Sequence, residues 1–176
     1  GYIVIKINSA PSDNAPIIDP GTTFVVSTTE DIPQVVIVVS NSVSDPDGDS
    51  LVFSISDAPK HGNAIINANG DVVYVPAKNY FGNDTIVFTA CDITTPVQCV
   101  TDTIYITVAN VNDAPVLDND TILKNTNENE AVIIDITAIS FDPDSDILTT
   151  SVVNGPSNGS IKFKGNDIVY TPSTGF

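Results

Sequence analysis

The sequence predicts an all-β protein made of tandem antiparallel β-sandwiches, and three observations carry that expectation. Val and Ile supply 22 residues each while Leu supplies 4, and side chains branched at Cβ are stiff at χ1 in a way that suits the pleated strand better than the helix. Runs that alternate apolar with polar residues are broken at short intervals by Gly, Pro, Asn and Asp, the punctuation of short strands joined by turns. Three landmarks also recur in the same order. Asn14-Ala15-Pro16 returns as Asp113-Ala114-Pro115, Asp45-Pro46-Asp47-Gly48-Asp49 as Asp142-Pro143-Asp144-Ser145-Asp146, and Val73-Tyr74-Val75-Pro76 as Val169-Tyr170-Thr171-Pro172, at offsets of 99, 97 and 96 residues. A repeat of about 98 residues has the size of one sandwich domain.

Taken along the chain, Tyr2-Ile3-Val4-Ile5-Lys6-Ile7 matches the later run Ile104 to Val108 and also precedes an Ala-Pro segment. Residues 1–10 are therefore expected to be the last strand of a preceding repeat plus its linker, and residues 11–111 a complete sandwich. Its strand candidates are Thr22 to Ser27, Gln34 to Val39, Leu51 to Ser56, Ala64 to Ile66, Val72 to Val75, Thr85 to Ala90 and Val100 to Val108. Seven short strands suit two packed sheets. The connector Asn110-Val111-Asn112-Asp113-Ala114-Pro115 is short, polar and proline-stiffened, so it is expected to be extended. In residues 112–176 Phe176 aligns with Tyr80, and this second repeat is expected to lack its last two strands. An open edge of that kind invites pairing; the segment is either cut from a longer array, which is favoured, or completed by Tyr2 to Ile7 of another molecule.

Composition removes several functions. Six Lys and no Arg stand against 19 Asp and 3 Glu, for a net charge of −16, which excludes a nucleic-acid binder resting on basic residues. The longest apolar run, Val35 to Val39, is strand length, so no membrane-spanning helix is expected. Hydrophobic residues at 41% suffice for packed cores, and the acidity belongs to the surface of folded domains. With no Met and no apolar leader at Gly1, any secretion signal is expected outside this segment, which reads as an internal piece of something larger.

The chemistry is expected in the acidic loops. Carboxylates at i, i+2 and i+4 of a tight turn can converge on one point and repel one another unless a cation intervenes. All-oxygen hard ligands of irregular geometry suit Ca²⁺ and suit Mg²⁺ less well. A solvated Asp and Gly turn is the alternative, and the recurrence of the motif favours the ion. Glu30, at the end of the first strand, is expected at the pole facing the next repeat, with Glu128 and Glu130 in the equivalent place. Glu30, the connector's Asn112 and Asp113, and Asp142, Asp144 and Asp146 would then surround one shared calcium site. The upstream counterpart would use Asp13, Asn14, Asp45, Asp47, Asp49 and Asp92, the last of these from a loop at the same pole.

Glu near the end of the first strand, Asp-x-Asp after the second, Ala90-x-Asp92 closing the sixth and the Asn-x-Asn-Asp-Ala-Pro connector together resemble cadherin repeats and their bacterial cadherin-like relatives, over the whole chain. The resemblance implies Ig-like or cadherin-like sandwiches with Ca²⁺ between successive domains, stiffening a rod that presents an adhesive tip. Pro76-Ala77-Lys78-Asn79 stands where cadherins carry Asp-Arg-Glu, implying fewer ions per junction than in animal cadherins. Pro59-Lys60-His61-Gly62-Asn63 and Asn79-Tyr80-Phe81-Gly82-Asn83-Asp84 are similar to tandem repeats of giant surface adhesins of the Bacteroidota, some of which serve gliding. Asp-Ser/Thr-aliphatic triplets resemble sites O-glycosylated in that phylum and would make Ser50, Thr85, Thr103 and Thr121 modification sites; a plain polar start to a strand carries more weight.

Cys91 and Cys99 fall on one hairpin and are expected to form a disulfide, hence an oxidising compartment. His61, the only histidine, is expected in a polar turn. Two paired Cys and one His assemble neither a zinc site nor a nucleophile with its base, so an enzyme is not expected. The expected role is a calcium-rigidified stalk segment of an extracellular, cell-surface adhesin. Its partners would be neighbouring repeats and an unidentified surface ligand at a distal tip. The alternative is a carbohydrate- or partner-binding accessory module, which the lack of Trp disfavours.

Overall fold

The computed structural model describes residues 12–176, so the strand expected at Tyr2 to Ile7 lies outside the described residues. The chain divides into two units, Gly1–Val111 and Asn112–Phe176. The first holds β1 (Ile17–Ile18), β2 (Phe24–Thr29), β3 (Val35–Ile37), β4 (Val43–Ser44), β5 (Leu51–Asp57), β6 (Gly62–Ile66), β7 (Val72–Pro76), β8 (Gly82–Asp92) and β9 (Cys99–Ala109). A 3-10 turn at Ser40–Ser42 separates β3 from β4. The strands form a four-stranded sheet ordered β2-β9-β8-β5, a three-stranded sheet ordered β3-β7-β6 and a short β1-β4 pair. This is the expected all-β sandwich. One pair departs from antiparallel pairing: β2 runs parallel to β9, from Phe24 opposite Ile104 to Thr29 opposite Ala109. Parallel neighbours need a long crossover, and here the rest of the sandwich supplies it.

Strand alternation builds the core directly. Along β8, Ile86, Phe88 and Ala90 are fully buried, and along β9 so is Ile104, with Ile106 and Val108 close behind. They meet Val72 and Tyr74 of β7 and Phe24 of β2, and Phe24 packs edge-on against Phe88 with ring centroids 5.2 Å apart. Strands β8 and β9 run further than sequence reasoning expects. Asn83 and Asp84 look like turn residues but pair with Thr107 and Ile106, and Cys91 pairs with Cys99.

The second unit repeats half of this plan. Strands β10 (Val116–Leu117), β11 (Val132–Ile134), β12 (Ser140–Phe141), β13 (Gly159–Lys164) and β14 (Asp167–Pro172) form a β10-β12 pair and a β11-β14-β13 sheet. The register is shared, with Val132 opposite Tyr170 as Val35 is opposite Tyr74. An open apolar cleft of about 760 Å³ is lined by Ile134 and Ile168 of this sheet together with Leu117, Ile136 and Ile147 among others. Among the described residues no helix is long and apolar enough to cross a membrane.

One contact is common to both units and explains a glycine in each. Gly62 lies against the Tyr74 ring, so a Cβ there would come within 2.5 Å of both the ring and the Val75 carbonyl; Gly159 meets Tyr170 and Thr171 in the same way. Each tyrosine hydroxyl reaches the carbonyl preceding the glycine, Tyr170 donating to Asn158 at 2.8 Å and Tyr74 sharing its one proton between His61 at 3.2 Å and Asp84 at 3.0 Å. Gly62→Ala is therefore expected to cost about 2 kcal/mol by overpacking, read as a lower denaturant midpoint with unchanged m-value.

Candidate metal centre

Each acidic loop is first of all a turn held by its own leading aspartate. Asp45 Oδ1 accepts the amides of Asp47 at 2.8 Å and Asp49 at 3.3 Å, and Gly48 N donates to the Asp45 carbonyl at 3.1 Å. Asp142 repeats the pattern with Asp144 at 2.9 Å, Asp146 at 3.3 Å and Ser145 at 3.0 Å. The turn needs a left-handed residue at its fourth position: Gly48 has φ +81° and Ser145 φ +65°. Glycine takes that conformation at no cost, and serine takes it with strain.

The middle aspartate of each loop holds a connector. Asp47 accepts Asn14 N at 2.7 Å and the Asn14 side-chain amide at 3.0 and 3.2 Å; Asp144 accepts Asp113 N at 2.5 Å. In the first unit the remaining carboxylates are met by neutral donors. Thr94 Oγ1 donates to Asp49 at 2.6 Å. Gln98 N donates to both oxygens of buried Asp92 at 3.1 Å, while its side-chain amide reaches the Asp13 carbonyl at 2.9 Å and carboxylate at 3.2 Å. The Cys91–Cys99 disulfide closes the hairpin that carries Thr94 and Gln98, in agreement with the pairing expected from sequence. Sequence reasoning missed both donors because neither is acidic.

Convergence is thus partial. Asp13, Asn14, Asp45, Asp47, Asp49 and Asp92 share one pole of the first unit, yet among the described residues no three of their carboxylates lie mutually within 4.8 Å. Asp45 Oδ2 is buried there without a hydrogen-bond partner.

The opposite pole presents a sharper feature. Glu30 follows β2, its amide donating to the Ala109 carbonyl at 3.0 Å, and its side chain is only 1% exposed. Oε1 accepts Val111 N at 2.9 Å. Oε2 is buried with no hydrogen-bond partner, and Asp31, held at φ +58°, brings a second carboxylate oxygen within 4.8 Å of it or its twin. A buried carboxylate with one unanswered oxygen beside another carboxylate is costly unless a cation is present. Hard oxygen donors of this kind fit Ca²⁺. The second unit's Glu128 and Glu130 differ: both are exposed, with Glu128 accepting Gly175 N at 2.8 Å and Glu130 the Asn127 side-chain amide at 2.7 Å. Asp142 and Asp144 are half-buried and Asp146 exposed, and Asn112 donates to the Asp113 carbonyl at 3.0 Å.

The other singled-out residues are structural or superficial. His61 stacks on Tyr80 at 4.1 Å between centroids and gives its amide to Asp84, as suits a turn residue. Ser50, Thr85 and Thr121 are exposed and Thr103 is half-buried; Thr85 and Thr103 lie within β8 and β9, not before a strand.

Comparison with known proteins follows the same line. No curated protein matches the chain. Among solved structures, mouse Protocadherin-24 EC1-3 is similar at TM-score 0.53 and 18% identity, over 92% of this chain and 58% of that one. Human CDH23 EC21-23 is similar at TM-score 0.51 and 17% identity, over 92% and 55%. A point variant of MfFcnA4, an endo-fucoidan hydrolase of glycoside hydrolase family 107, aligns at TM-score 0.47 and 19% identity, over 94% of this chain and 26% of its own. The chain spans little more than half of the cadherin fragments and about a quarter of the hydrolase, and at these identities the cadherin likeness shows the fold alone. Residues 13–107 and 112–176 each match the bacterial Ig domain Big_9, and the chain belongs to that family as a tandem pair.

Proposed function

We propose that the chain is a calcium-stiffened stalk segment of an extracellular, cell-surface adhesin. Glu30 carries the reading: its Oε2 is buried and unpartnered while Oε1 grips the connector at Val111 N. A divalent ion would answer that oxygen and, with Asn112, Asp113, Asp142, Asp144 and Asp146 as further ligands, tie two repeats together. The repeated acidic turns and the Big_9 tandem support the assignment. The ion supplies charge neutralisation and a fixed angle between repeats; the residues supply the turn, the buried donor and the connector amides. Asp13, Asn14, Asp45, Asp47, Asp49 and Asp92 form the matching set at the other pole. The adhesive ligand belongs to a distal tip, and the reading assigns this segment no catalytic step.

Small-angle scattering in excess calcium and then in EGTA tests the proposal. A Kd of about 10⁻⁴–10⁻³ M is expected for an extracellular module of this type. Chelation should broaden the distance distribution as the junction carboxylates repel and the connector loosens. An identical distribution in both conditions, with no heat of calcium binding, would sink it.

A further inference from the structure

We infer that Gln98 is a neutral latch that does at the upstream pole of the first unit what the proposed ion does at the Glu30 pole, making the Asp13–Asn14 connector independent of calcium. This builds on the calcium reading only for the contrast between poles.

The observation is a chain of donors that stands among the carboxylates. Gln98 uses its backbone N on both oxygens of Asp92 and its side-chain amide on two oxygens of Asp13, so one residue links the buried end of β8 to the connector. The Asp92 amide returns a bond to the Gln98 carbonyl at 3.0 Å, which holds the Gln98 backbone in place. Asn14 then fastens the same connector to Asp47 through its backbone and side-chain amides, and Thr94 takes up Asp49. Apart from the two that end on the Asp13 and Gln98 backbone carbonyls, these bonds run from a neutral donor to an anionic acceptor, which is the stronger class of hydrogen bond. Amide and hydroxyl dipoles thereby offset charge that would otherwise need a cation, and the disulfide beside Gln98 anchors the latch in the sheet. Among the described residues Glu30 Oε2 has no such donor, and neither has Asp45 Oδ2 at the upstream pole, so the latch fastens the connector and leaves Asp45 Oδ2 for an ion. The upstream connector is accordingly held with or without an ion at Asp45, so the calcium sensitivity of the connectors in an array would depend on which repeats carry a side-chain amide at this position.

The isosteric swap Gln98→Glu tests this, since it keeps the shape, removes the side-chain donors and adds a sixth carboxylate to the five of Asp13, Asp45, Asp47, Asp49 and Asp92. Hydrogen exchange on the full 176-residue chain would follow the Asn14 amide in excess calcium and in EGTA. In the unaltered chain its protection should be the same in both. In Gln98→Glu it should fall about tenfold in EGTA and be restored by calcium, while Gln98→Ala should lose a similar amount in EGTA. Loss of Asn14 protection on chelation of the unaltered chain would overturn the latch by showing that an ion holds that connector. So would full protection in EGTA for Gln98→Glu and Gln98→Ala alike. The Val111 amide, which donates to Glu30 Oε1 and is read in the same spectra, reports separately on the Glu30 pole, so the failure of the calcium reading is distinguishable from failure of the latch.

Discussion

Asp84→Asn is expected to destabilise the first unit by about 3 kcal/mol at pH 7, more than a typical point substitution. Asp84 is 5% exposed and fully committed. Oδ1 accepts the amides of Lys60 at 3.0 Å and Thr85 at 2.9 Å, while Oδ2 accepts the His61 amide at 2.9 Å and the Tyr74 hydroxyl at 3.0 Å. Asparagine can keep only one oxygen of the pair, so whichever way it turns, an NH₂ faces a backbone N–H, and every surviving bond loses its charge assistance. The pH dependence follows from direction. Burial pushes the Asp84 carboxyl up, but the three amides and the Tyr74 hydroxyl more than offset it and hold the group below its ordinary 3.8. A group lowered in the folded state contributes stability that is present above its unfolded value and lost as pH falls through the folded one. Burial and then Asp84 push the Tyr74 phenol above its ordinary 10, and that contribution is lost as pH rises past the unfolded value. The penalty of Asp84→Asn should thus be level between about pH 5 and 9 and shrink below about pH 4. Urea unfolding of both proteins at pH 7 and pH 3 checks it, and an equal difference at both would refute the account.

Asp84 also marks where sequence reasoning stops. Alternating Val, Ile, Phe and Thr make β2, β5, β7 and β9 legible, because period two with one apolar face says strand and says which face is inward. The same logic places Asp84 inward, two residues before Ile86, yet an aspartate next to Gly82 and Asn83 reads as a turn. The amides of Lys60 and His61, some twenty residues away, and the Tyr74 hydroxyl join the adjacent Thr85 amide in making an inward charge tolerable, and no local pattern announces the distant donors. Strands β1 and β4 were missed for a related reason: two-residue pairs such as Ile17 with Ser44 have too little periodicity to detect. The acidic loops were legible as turns and as a repeat. Which oxygens each turn uses up was not, because Asp45 Oδ1 and Asp45 Oδ2 share one letter in the sequence and have opposite fates in the fold.

Glu30→Gln is expected to change the sign of its effect with calcium, which separates a metal ligand from a structural carboxylate. The isostere keeps the oxygen that accepts Val111 N and replaces the unpartnered Oε2 with an uncharged NH₂ beside Asp31. In EGTA the substitution removes a desolvated charge and turns a repulsion into an attraction, so the variant should be at least as stable as the unaltered chain. In calcium at ten to a hundred times a Kd of about 10⁻⁴–10⁻³ M, the unaltered chain should gain about 1.4–2.7 kcal/mol by mass action and the variant almost none. A structural carboxylate behaves otherwise: its loss would cost the same with or without the ion. Thermal unfolding of both proteins across a calcium titration reads the difference, and parallel curves would remove Glu30 from the ligand set. Crossing curves would assign the buried negative charge its purpose, since a fold that keeps an unanswered carboxylate oxygen beside a second carboxylate holds a destabilising arrangement in reserve for a cation to resolve.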